Sequence, residues 1–90
     1  MDVKYFATFR ELTRERSRHI DETPATVGEL LELLSQRYGP AFRNAVFDHG
    51  LLHTELILLV NGRNVRISGE LDTPLQADDQ VSVFPMVAGG

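Results

Sequence analysis

Asp78-Asp79-Gln80-Val81-Ser82-Val83-Phe84-Pro85-Met86-Val87-Ala88-Gly89-Gly90 closes the sequence. Asp78-Asp79 marks a turn, and strict alternation follows. Val81 and Val83 share one face of a strand, and Ser82 and Phe84 share the other. Proline has no N–H to give a strand ladder, so Pro85 is expected to end the strand or to sit at a sheet edge. Beyond it come apolar residues and two glycines, with no polar group to fold back on. The tail, about residues 85–90, is therefore expected to project, extended and mobile. Gly90 is expected to supply a free α-carboxylate that neither glycine shields with a side chain. A narrow active site on another protein could take such a tail in. The plain alternative is a frayed chain end.

The rest of the chain sets what this strand can join. Ninety residues give one expected domain over 1–90, burying roughly 60–65% of the surface of its unfolded form. That suffices for folding but not for a deep internal active site. There is no cysteine, hence no disulfide, thiolate nucleophile or cysteine metal site. A net charge of −4 argues against general nucleic-acid binding. The longest aliphatic run, Leu56-Ile57-Leu58-Leu59-Val60, is far too short to span a membrane. No basic region followed by a long apolar run opens the sequence. The expectation is a soluble, cytoplasmic protein. Lys4 is the sole lysine beside eight arginines.

Residues 3–9 are rich in β-formers and read as a strand, with Val3 and Tyr5 on one face and Lys4 and Phe6 on the other. The charged stretch Arg10 to Arg16 reads as a solvated hairpin loop, and Ser17 to Glu22 as a second strand. Thr26 and Glu29 have capping-box spacing. Val27, Leu30, Leu31, Leu34 and Tyr38 then follow helical spacing up to Gly39-Pro40, which stops the helix. Residues 41–47 could form a short helical turn. His49 and His53, four apart, are weighed as a metal pair, but Gly50 weakens the helix that would need and no third ligand stands out; surface histidines are expected, with no metal. Glu55 to Val60 reads as a buried strand, Asn61-Gly62 as a hairpin turn and Asn64 to Ile67 as the returning strand. Leu71 and Leu75 anchor an irregular stretch. Leu30, Leu34, Leu58 and Val83 are the expected core. One helix over a mixed sheet, with the first and last strands adjacent at its centre, is an α+β two-layer arrangement.

This order, with Phe6-Ala7 and Arg10-Glu11-Leu12 near the start, resembles the MoaD/ThiS group of β-grasp, ubiquitin-like sulfur carriers. So do Leu71-Asp72-Thr73-Pro74-Leu75, Asp78-Asp79-Gln80-Val81, Phe84-Pro85 and Val87-Ala88-Gly89-Gly90. The likeness is greater to MoaD, the small subunit of molybdopterin synthase. One departure is Met86, where many members carry a second proline. The resemblance implies that Gly90 is adenylated by an E1-like enzyme of the MoaB/MoeB/ThiF type, using ATP, and converted to a thiocarboxylate. The tail then donates sulfur inside a MoaE-type large subunit in molybdenum cofactor biosynthesis. No cofactor is expected on the chain, which has neither a phosphate-binding loop nor a cysteine. Every group for ATP chemistry must come from the partner, which leaves open whether the chain counts as an enzyme. Phe6 and Phe84, opposite the valine faces, are expected to be exposed and to dock partners together with Pro85, Met86 and Val87. Two alternatives remain: a ubiquitin-like modifier joined through Gly90 to lysines of other proteins, or a plain interaction domain. Carriers for thiamine or tRNA thiolation share the same tail.

Overall fold

Alternation makes the central strands, and a computed structural model describes the result for residues 1–86. Strands β1 (Asp2–Tyr5), β2 (Ser17–His19), β5 (Leu56–Val60), β6 (Arg63–Asn64) and β7 (Gln80–Pro85) form one mixed sheet in the order β2-β1-β7-β5-β6. β1 and β7 run parallel at its centre, with Val3 opposite Val81 and Tyr5 opposite Val83. β5 lies antiparallel to β7, placing Leu58 opposite Val83 and Ile57 opposite Phe84. A separate two-stranded pair joins β3 (Phe47–Asp48) to β4 (Leu51–Leu52).

The sheet's inner face is covered by α2 (Val27–Tyr38), with α1 (Thr8–Thr13) and α3 (Pro40–Val46) beside it. Thr26 caps α2 by accepting from the Glu29 N–H. Glu29 reaches back to the Ala25 N–H at 2.7 Å, one residue before the usual partner in a capping box. Gly39 adopts φ +100°, which ends α2, and Pro40 opens α3 at once. The expected core residues Leu30, Leu34, Leu58 and Val83 are all buried in one cluster with Val3, Tyr5, Leu31 and Leu56. Phe42 is fully buried, edge-on to Tyr5 and Phe9 and tilted against Tyr38.

Three local expectations are corrected. The first strand stops at Tyr5, and the charged stretch begins in helix α1, not in a loop. Phe9 and Thr13, one turn apart, are buried and Leu12 packs against the core, so apolar burial outweighs the run of exposed charges. β2 is only three residues long. The returning strand ends at Asn64, whose side chain caps α4 (Val65–Ser68) by accepting from the Arg66 N–H. Val65 is buried there, whereas Ile67 is 73% exposed. Cap and burial thus override the strand preference of two β-branched residues.

A polar network ties β1, β2 and α2 together. The Tyr5 hydroxyl donates to the Tyr38 hydroxyl at 3.0 Å, and the Tyr38 hydroxyl donates to Glu15. Arg18 forms a two-pronged pair with Glu15. Burial pushes the Tyr5 hydroxyl far above the ordinary tyrosine range, aided by its bond to Tyr38. The Arg18 hydrogen bond holds Glu15 below its ordinary value of 4.5. A depressed carboxyl contributes stability above its unfolded value and loses it as pH falls through its folded value. Glu15→Gln is therefore expected to lower the melting temperature near neutrality, with the gap to the wild type closing below pH 4.5. Melting curves whose gap stays constant into acid would show that the Glu15 charge contributes nothing.

Candidate functional site

The outer face of the sheet carries the candidate site. Phe6 follows β1, and its N–H donates to the Val83 carbonyl at 3.1 Å, which keeps it beside β7. Ala7, at φ +52°, then turns the chain into α1. Phe84 lies on the outward face of β7. The two rings stack with centroids 4.2 Å apart and planes 6° from parallel. The Arg10 guanidinium lies 5.3 Å above the Phe6 ring, and its Nε donates to the Tyr5 carbonyl at 2.9 Å. Mutual stacking and this cation cover leave both phenylalanines half-buried, not fully exposed as expected. Their faces are as read from the alternation: Val3, Tyr5, Val81 and Val83 are all buried on the other side.

Ile57, directly opposite Phe84 on β5, extends the apolar surface. Sequence reading missed Ile57 and Arg10. Alternation along Leu56–Val60 signals the first; no sequence signal places the second. Pro85 is the last residue of β7. The Met86 N–H donates to the Glu55 carbonyl at 2.8 Å, so the β5 side of the ladder runs one residue past the proline. By alternation the absent Pro85 N–H falls on the β1 side, beyond Tyr5 where β1 has ended, and no ladder bond is lost there. Met86 is 52% exposed. Val87, Ala88, Gly89 and Gly90, together with the projecting tail expected there, lie outside the described residues.

The histidines do not share a helix. His49, at φ +52°, turns between β3 and β4 and pairs with Asp48 at 2.8 Å. His53 follows β4 and accepts from the Glu55 N–H through Nδ1. Among the described residues no group of three or more potential ligands gathers for a metal. No helix among them is long and apolar enough to cross a membrane.

The mixed sheet holding one long helix places the chain among ubiquitin-like β-grasp domains, an α+β fold. Within that class it belongs to the ThiS family, whose family model matches residues 3–90. The chain is similar to a candidate sulfur carrier protein of Archaeoglobus fulgidus, 41% identical over 79% of this chain and 81% of the relative. It is also similar to small archaeal modifier protein 3 of Haloferax volcanii, 36% identical over 100% of this chain and 98% of the relative. A solved structure from Pyrococcus furiosus, described as a candidate molybdopterin converting factor subunit 1, superposes with TM-score 0.76 at 34% identity, covering 96% of this chain and 95% of that one. These likenesses define a family of sulfur carriers and small ubiquitin-like modifiers.

Proposed function

We propose that the chain carries sulfur on its own Gly90 carboxyl and donates it in molybdopterin biosynthesis, as the small subunit of a molybdopterin synthase. The observation that carries the reading is the stacked Phe6–Phe84 pair on the outer face, on the strand that precedes the Gly-Gly end of the sequence. Phe84 lies two residues from Met86, and only four residues follow, a span of at most about 14 Å when extended. A partner that grips the aromatic pair therefore holds the carboxyl within reach of its own active site. That partner is an E1-like adenylating enzyme working in the cytoplasm with ATP.

The chemistry follows from what the chain lacks. A carboxylate is a poor electrophile. Its oxygen attacks the α-phosphorus of ATP, pyrophosphate leaves, and an acyl adenylate forms. Hydrosulfide, sulfur at the sulfide level from a donor, then attacks the carbonyl carbon, the bond to AMP breaks, AMP and a proton leave, and a thiocarboxylate remains. With no cysteine in the sequence, the chain has no thiol on which to carry sulfur as a persulfide. A MoaE-type large subunit would accept the tail and take the sulfur. Full-length similarity to a small archaeal modifier protein favours a second reading, in which a lysine amine of another protein attacks the same adenylate. The chemical state of Gly90 in protein from its native cells tests the reading: a thiocarboxylate supports sulfur transfer, an isopeptide supports conjugation.

A further inference from the structure

By alternation Pro85 points to the face opposite Phe84, and there it lines a cleft beside the end of β7. The cleft has a volume of about 180 Å³ and is walled by Thr8, Phe9, Ala45, His53, Glu55 and Pro85. Pockets for small molecules run to about 300–1,000 Å³, so this one has room for a single side chain and not for a nucleotide. Phe9 is buried and Ala45 and Pro85 are half-buried, which makes the floor apolar; Thr8 and Glu55 are exposed at the rim. Among the described residues Glu55 enters no ion pair. His53 already uses Nδ1 to accept the Glu55 N–H at 3.0 Å. Arg66 reaches the same loop, but it donates to the His53 and Leu56 carbonyls and to Glu70 and does not line the cleft. The cleft thus sets one carboxylate over an apolar floor and supplies no cation of its own.

We propose that this cleft receives one basic side chain of the activating enzyme, whose charged head pairs with Glu55 while its aliphatic stem lies on Ala45 and Pro85. The inference rests on the reading above that an activating enzyme grips the outer face. Lysine and arginine match the cleft because each joins an apolar stem to a cationic head. An acidic side chain would meet the like charge of Glu55. A wholly apolar one would cover the carboxylate without pairing it, which is costly. The Thr8 hydroxyl offers the head a second acceptor. The cleft and the aromatic pair flank the same strand end from opposite faces. Phe84 alone would leave the domain free to turn about one anchor. A second contact across β7 fixes that rotation. It also fixes the end of the strand, because the residue that carries the charge holds the Met86 N–H on its carbonyl at 2.8 Å.

Titration calorimetry of the full chain against its cognate activating enzyme, at low and at high salt, tests the proposal. Glu55→Gln keeps the shape and removes the charge. It should weaken binding by about tenfold at low salt, the effect of losing one charged hydrogen bond. Its affinity should also depend less steeply on salt than that of the wild type. Glu55→Lys should weaken binding by about a hundredfold, because a like charge then faces the enzyme's cation. Asp78→Asn removes the same unit of charge at an exposed position before the other end of β7, and should bind as the wild type does. Equal melting temperatures for all four proteins separate lost binding from lost folding. Wild-type affinity in Glu55→Gln, an unchanged salt dependence, or an equal loss from Asp78→Asn would overturn the proposal. Weak binding by Phe84→Ala beside normal binding by Glu55→Lys would remove this cleft and leave the aromatic face in place. No binding by the wild-type chain would remove both.

Discussion

A chain ending at Gly89 is expected to lose ATP–pyrophosphate exchange with its cognate activating enzyme down to background. The reacting atom is the carboxyl carbon of Gly90. Removing that residue moves the nearest carboxyl back by one residue, about 3.3–3.6 Å along an extended chain. Displacement of that size is large against the tolerance of an in-line attack on phosphorus, where even about 1 Å can cost about a hundredfold. A side chain placed at Gly89 or Gly90 would crowd the partner's narrow active site, and a β-branched one would also stiffen the tail. The fold should survive, because the buried cluster closes within the described residues, from Met1 to Val83. Unchanged circular dichroism and melting temperature with lost exchange is the expected pair of results. Equal exchange by the two forms would end both the carrier and the modifier readings.

Phe84→Ala should weaken binding to the two proposed partners, an activating enzyme and a synthase large subunit, by roughly 30-fold or more, the effect of truncating an aromatic anchor worth about 2 kcal/mol. The loss has two sources. The Phe84 ring itself goes, and Phe6 loses the partner stacked on it at 4.2 Å. Because Phe84 faces away from the cluster that includes Val81 and Val83, the melting temperature should move little. Titration calorimetry reads the affinity for each partner separately. Unchanged affinity for both would remove the outer face from the account.

Much of this fold was legible because its strongest signals are periodic. Alternation fixed the faces of β1 and β7, and the spacing from Val27 to Tyr38 marked the long helix with both of its ends. The segments that escaped reading are those where burial contradicts local composition. Phe9, Leu12 and Thr13 bind α1 to the core beneath a row of charges. Val65 and Ile67 look like a strand, yet Asn64 caps a helix there and Gly69, at φ +122°, ends it. The hairpin of β3 and β4 turns on His49-Gly50, a weaker signal than Asn-Gly because histidine visits positive φ less readily than asparagine. Met1 and Ile20 sit in the core at positions where no period could form. The Phe6–Phe84 face followed from alternation alone, but no sequence rule says that two rings will stack or that Arg10 will lie over one of them.

The most direct test of the central claim is the intact mass of the protein purified from its native host under non-reducing, neutral conditions. The account predicts a fraction heavier by the difference between one sulfur and one oxygen, with fragmentation placing the change at Gly90. That fraction should disappear when the activating enzyme is deleted. A single unmodified mass in both strains, with no conjugates on other proteins, would contradict it.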